Sequence, residues 1–209
     1  MIHRTFSLIV DNLTCVRGDR EVFSRLSLKA QDGDAILLYG PNGAGKSSLL
    51  RMLAGLLPVT AGSIRWQDPA IALSPPPAYC GHRDPIKAWL TVGEHLDFWC
   101  ALHRGGRIDD AAEGFGLNRF LSVPCGLLSA GQKRRLSLAR LMLTSASVWL
   151  LDEPTASLDS EGIAQLETLI ADHRAAGGLV IAATHAEMAI PKAVKVKLRP
   201  PVLHAGTVE

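Results

Sequence analysis

The 209 residues suit one compact domain and leave little room for a second catalytic module. With 47% hydrophobic and 20% charged residues the chain can bury a sizeable core, which excludes global disorder and a collagen-like or coiled-coil rod. Lysine and arginine total 22 against 20 acids, a formal charge of +2 that gives no reason to expect nucleic acid.

The N-terminal run MIHRTFSLIV lacks a signal-peptide core followed by a small-residue cleavage site. The longest apolar runs, 148–151 and 179–183, fall far short of the ~18–20 residues of a membrane-spanning helix, so the expectation is a cytosolic chain that does not cross a bilayer alone. Cys15, Cys80, Cys100 and Cys125 are scattered with no CxxC pair, and reduced, mostly buried thiols follow.

From Phe6 to Leu38, short apolar runs alternate with turn signals at Arg17-Gly18-Asp19 and Asp32-Gly33-Asp34, predicting a strand-rich opening. Leu37-Leu38-Tyr39 then ends a buried strand, 40–45 is a glycine-rich loop, and 46–56 carries apolar residues at helical spacing. Pro75-Pro76-Pro77 marks a stiff connection into a helical lobe at about 84–143, where TVGEHLDFWCALH and GQKRRLSLARLML read as amphipathic helices joined by a polar, Gly-rich stretch around 105–116. Afterwards come a strand at 148–151, a helix at 160–176 ended by Gly177-Gly178, and a strand at 179–183. Strands alternating with helices predict a parallel sheet, with a core of about 1–83 and 144–209. The tail 193–209 reads as one or two edge strands broken by Pro200-Pro201.

Gly40-Pro41-Asn42-Gly43-Ala44-Gly45-Lys46-Ser47 fits the phosphate-binding pattern G-x-x-x-x-G-K-[ST] in its required strand-loop-helix context, with Ser48 following on the helix. Glycines let backbone amides converge on phosphate, the helix N-terminus adds positive charge, Lys46 reaches the β and γ phosphates, and the Ser47 hydroxyl can ligate Mg²⁺. Val148 to Glu153 supplies the second half of a nucleotide site, a hydrophobic strand ending in two carboxylates. Asp152 would hold Mg²⁺ through water. Glu153, expected to point differently because successive strand residues alternate, suits a general base. His185 ends another strand and could sense the γ-phosphate.

Leu128-Ser129-Ala130-Gly131-Gln132 narrows the class, with Ser129 near a helix N-cap and Gly131 permitting close backbone approach. Together with Asp152-Glu153-Pro154-Thr155, the turn ending at Asp159, and His185, it resembles the ABC-transporter ATPase family across essentially the whole chain. That resemblance implies a P-loop NTPase of ABC type, α/β, with an N-terminal antiparallel β subdomain and an inserted helical lobe. It implies that ATP is sandwiched between one subunit's phosphate loop and the other's signature, so that Ser129, Gly131 and Asp159 act across a homodimer interface, with Leu128, Ala130 and Gln132 among the nucleotide-binding residues. Two positions depart from the pattern. Arg17, 29 positions before Lys46, stands where an adenine-stacking aromatic is usual, and His82, nine before Thr91, stands where a magnesium-linked glutamine is expected. A guanidinium can stack, and an imidazole can ligand or relay.

The stretches Cys80-Gly81-His82, Ile86-Lys87-Ala88 and Glu94 to Trp99, with Leu13 to Gly18 and the LSAGQ spelling, look like the CcmA-type ATP-binding subunits of cytochrome c maturation. The resemblance implies a peripheral protein on the cytoplasmic face of the inner membrane, working with CcmB- and CcmC-type integral subunits in heme delivery. No CxxCH or other axial-ligand arrangement is present, so direct heme binding is not expected. An ATPase subunit of another exporter, for lipid, drug or peptide, stays open, as does a soluble ABC regulator of ribosomes or DNA. Trp89, Phe98 and Trp99 are candidate anchors for a membrane partner or else core rings. Lys133-Arg134-Arg135 reads as a solvated helix face with interface ion pairs.

Overall fold

The structure is a computed structural model that describes residues 6–67, 76–82, 85–103 and 105–199. Period-two alternation builds its first sheet: Leu8, Val10, Leu13 and Cys15 of β1 (Ser7–Arg17) turn inward while their neighbours face out. β1 pairs antiparallel with β2 (Arg20–Gln31) on one side and β4 (Ala61–Gln67) on the other. The opening is therefore strand-rich as the sequence predicts. β4 is a strand that the run AGSIRWQ did not announce, because it packs only half-buried against β1.

The second sheet is parallel throughout, in the order β5-β6-β7-β3-β8. It comprises β3 (Ala35–Tyr39), β5 (Ala78–Cys80), β6 (Val148–Asp152), β7 (Leu179–Ala183) and β8 (Val194–Lys197). Every residue of β6 and β7 is buried, as expected of a sheet covered on both faces. Alternate residues still feed two different cores. Ile36, Leu38, Leu150 and Ile181 pack toward α1 (Lys46–Leu53) and the antiparallel sheet, whereas Leu37, Leu151, Val180 and Ala182 pack toward α5 (Ser160–Ala175) and the lobe. Each fully buried leucine contributes about 1.5–3 kcal/mol by leaving water.

The lobe contains α2 (Val92–His103), α3 (Ile108–Gly114) and α4 (Ala130–Ala139), the last tightening into a 3₁₀ turn over Arg140–Leu143. Val92, Leu96, Phe115 and Leu136 form one apolar cluster with the sheet's second face, so the lobe shares its core with the sheet. α3 replaces the polar joint expected around 105–116, because Ala111 and Ala112 give that segment a small buried face. α1 stops at Leu53, short of Leu56, and the chain leaves through Gly55 at φ 71°.

Trp99 packs against the core, while Phe98 and Trp89 remain 54% and 75% exposed and so are the two rings free to meet a partner. The four cysteines are free thiols, three buried and Cys100 half-buried. Among the described residues no helix is long and apolar enough to cross a membrane. Pro75 and the tail from position 200 lie outside the described residues; the tail up to there contributes β8, an edge strand.

Candidate functional site

The loop between β3 and α1 wraps a cavity of about 690 Å³ at the C-terminal edge of the parallel sheet. Gly45 caps α1 at φ 93°, and a Cβ there would stand 2.6 Å from Phe23 Cδ1, so only glycine lets the loop press on β2. Lys46 is 6% exposed, and its ammonium donates to the Gly40 carbonyl at 2.7 Å and lies 3.0 Å from His185 Nε2. An ammonium only donates, so a hydrogen bond between these two groups has Nε2 as its acceptor.

The Ser47 hydroxyl donates to Asp152 Oδ1 at 2.9 Å, and Asp152 is 2% exposed at the end of β6. Its second oxygen accepts from the Tyr79 hydroxyl at 3.4 Å, which in turn accepts from Arg51 Nε at 3.3 Å. Burial pushes the Tyr79 phenol up, with Arg51 opposing, so the hydroxyl stays a proton donor. A hydroxyl beside a buried carboxylate fits a hard cation that completes its shell from phosphate and water. No group of three or more His, Cys, Asp and Glu suited to a metal exists among the described residues, so those residues by themselves offer no full cage.

Glu153 lies just past β6, and strand alternation does not aim it, contrary to expectation. It adopts φ 49°, left-handed backbone that a side chain adopts at a cost, and so lines the same cavity as Asp152. Its amide donates to the Ala183 carbonyl at 2.8 Å, while its carboxylate accepts from the His185 amide at 3.2 Å and lies 3.4 Å from His185 Nε2. That single nitrogen faces both Lys46 and Glu153 and can serve one at a time. His82, Arg17 and Ser48 line the cavity too, with His82 and Arg17 exposed.

Ser129 is the N-cap of α4. Gln132 N donates to its hydroxyl at 3.2 Å and its own amide donates to Gln132 Oε1 at 2.8 Å, a reciprocal capping box. Ser129, Gly131 and Gln132 line a different cavity of about 540 Å³, together with Asp159. Leu128 is buried and Ala130 exposed beside them. Asp159 caps α5 by accepting from Gly162 N at 2.9 Å, and Arg135 pairs with it at 2.6 Å. The backbone bond first and Arg135 second hold its carboxyl below the usual range. The turn from Glu153 to Asp159 runs between the two cavities, Ala156 lining the first and Ser157 the second.

The basic triplet is not a solvated face. Arg134 is 3% exposed and Arg135 is largely covered, because 134, 138 and 141 share the buried side of α4 and its 3₁₀ extension. Sequence reasoning missed Arg134, Tyr79 and Arg51. Tyr79 was findable as a polar residue on a strand at the ligand edge of the sheet, Arg134 by its helical spacing to Leu138.

The profile of the family described as ABC transporter matches residues 23–156. A protein of Paramagnetospirillum magneticum named cytochrome c biogenesis ATP-binding export protein CcmA is 48% identical over 209 residues, spanning 95% of this chain and 95% of its own length. The protein of the same name from Rhodospirillum rubrum is 47% identical, over 90% of this chain and 84% of its own. An ABC transporter ATP-binding protein from Pyrococcus furiosus, 24% identical, shares the fold at a TM-score of 0.80 over 92% of this chain and 97% of its own. The chain belongs to the ABC transporter family, as an ATP-binding, ATP-hydrolysing subunit.

Proposed function

We propose that this ATPase is the motor of heme export or delivery for cytochrome c maturation. The observation that carries the motor reading is the convergence of Lys46, the Ser47–Asp152 pair, Glu153 and His185 on one cavity. The near-full-length likeness to proteins named for cytochrome c biogenesis export directs it to that pathway.

In this mechanism Gly40 to Ser48 cradle the ATP phosphates with backbone amides, and Lys46 leaves the Gly40 carbonyl to meet the β and γ oxygens. Ser47 and Asp152, with His82 as a further donor on the same cavity, are the residues that would hold Mg²⁺, which when bound would neutralise phosphate charge. Glu153 takes a proton from the attacking water as its oxygen bonds to the γ-phosphorus and the bond to ADP breaks. His185 contacts the γ-phosphate, and Arg17 stacks on the base.

Ser129, Gly131 and Asp159, with Leu128, Ala130 and Gln132 shaping the helix start, act on the ATP of a second copy. Their cavity is separate from the phosphate loop's, which supports a homodimer with shared sites. Integral subunits of CcmB and CcmC type dock on the lobe at about 84–143, the core being 1–83 and 144–209, and hold the chain on the cytoplasmic face of the inner membrane. Neither nucleic acid nor heme binds this chain directly in the proposed role.

The test is isolation from native membranes with and without Glu153→Gln, which traps ATP. Cytochrome c maturation membrane subunits are expected to co-purify. Recovery of an unrelated permease would overturn the heme reading, and a soluble partner alone would overturn the transport role.

A further inference from the structure

The buried Arg134 of α4 has no part in the chemistry above, yet among its bonds are four to main-chain carbonyls. Its Nη2 donates to Asp152 O at 3.0 Å and Glu153 O at 2.7 Å, its Nε to Pro154 O at 3.2 Å, and its Nη1 to Gly81 O at 3.0 Å. Three of these acceptors are consecutive, spanning the point where the chain leaves β6 and Glu153 turns left-handed at φ 49°. Left-handed backbone at a bulky residue persists only where its surroundings over-determine it. Here the Glu153 amide is fixed by Ala183 O, and its carbonyl by Arg134 and by Ala156 N at 3.1 Å.

We infer that Arg134 is a positioning residue: its guanidinium fork holds the Asp152-Glu153-Pro154 backbone in the strained turn that aims the Glu153 carboxylate into the nucleotide cavity. A buried guanidinium is costly unless its donors are met, and a planar fork meets several carbonyls in fixed directions, which a lysine ammonium does not. The same helix begins at Ser129, and its next residue, Arg135, pairs with Asp159 at the far end of the turn. Two adjacent arginines on the signature helix thus hold both ends of the segment separating the two cavities.

The inference rests on Glu153 being the general base, and the test separates the two. ATP turnover and ATP binding are measured on the complex for Arg134→Lys, Glu153→Gln and the double variant, with melting temperatures for each. Arg134→Lys is expected to lower kcat about 10- to 100-fold, the scale typical of lost second-layer support, with KM for ATP within about twofold of wild type. In the Glu153→Gln background the same change is expected to cost less than about twofold, because the carboxylate it positions is already gone. Wild-type kcat in Arg134→Lys, or an equal loss in both backgrounds, would overturn the inference. Should Arg134→Lys fail to fold, Arg134→Gln, which keeps an amide donor near the same carbonyls, takes its place in the same cycle. Wild-type turnover by Glu153→Gln would instead sink the general-base reading itself.

Discussion

The phosphate-loop cavity and the signature cavity are built to different degrees of completion. The first draws on β2, the loop before α1, β6 and the end of β7, and its polar groups are engaged with one another: Lys46 with Gly40 and His185, Ser47 with Asp152, Glu153 with His185. The second is the exposed start of one helix beside the exposed cap of another, and its main ion pair, Arg135–Asp159, leaves the carboxylate side chain 65% exposed. One is a polar cluster assembled within the chain; the other leaves its helix start and cap facing outward, which is the side the proposed homodimer would use.

The sharpest break in this comparison comes from Glu153→Gln, which is expected to cut ATP turnover about 10²- to 10⁴-fold while ATP still binds, as rapid-quench assays and filter binding would measure. The signature side is tested next. Gly131→Asp places a side chain where even a Cβ would stand 2.9 Å from the Ser157 carbonyl, so it is expected to abolish turnover without lowering ATP affinity of the isolated chain. If the two cavities serve each other across a dimer, mixing Gly131→Asp with Lys46→Ala chains restores measurable turnover, since one of the two sites in a mixed dimer is then intact.

Stability separates the regions as well. His173 stacks on Trp149 with ring centroids 3.7 Å apart, and burial lowers its pKa to about 4 despite opposing bonds from Ser147 and Leu179. The unfolded chain, with an ordinary histidine near 6.5, then binds the extra proton first. Stability is full above pH 6.5 and falls as pH drops from 6.5 toward 4, by about 3 kcal/mol in total. Urea midpoints for wild type and His173→Phe should converge in shape above pH 7 and separate below 6. At the signature cavity, Ser129→Ala removes a capping box and is expected to cost about 1 kcal/mol, or roughly 2–4 °C in melting temperature. A change of similar size is expected from Arg17→Tyr, which should tighten ATP binding by about 1 kcal/mol, near fivefold, if the base stacks at that position.

Much of both cavities is legible in the sequence. The phosphate loop, the acidic end of β6, the signature pentapeptide and His185 announce themselves because each depends on neighbours a few residues away, where glycine placement, capping preference and apolar runs speak directly. Local pattern also located β3, β6, β7 and α5 to within a residue or two. It failed on β4, whose pairing partner β1 lies some fifty residues earlier, and on α3, whose helix depends on a buried alanine face meeting the sheet.

By itself, then, the order of residues determined the family, the nucleotide-binding elements and the alternation that makes a parallel sheet, all consequences of short-range spacing. Only the tertiary structure decided that Glu153 turns left-handed instead of following its strand, that Arg134 is buried against carbonyls 18 to 53 positions away, that Tyr79 backs Asp152, and that signature and phosphate loop line separate cavities. The reason is physical: hydrogen-bond partners distant in sequence are set by how layers pack, and no local window contains both ends of such a bond.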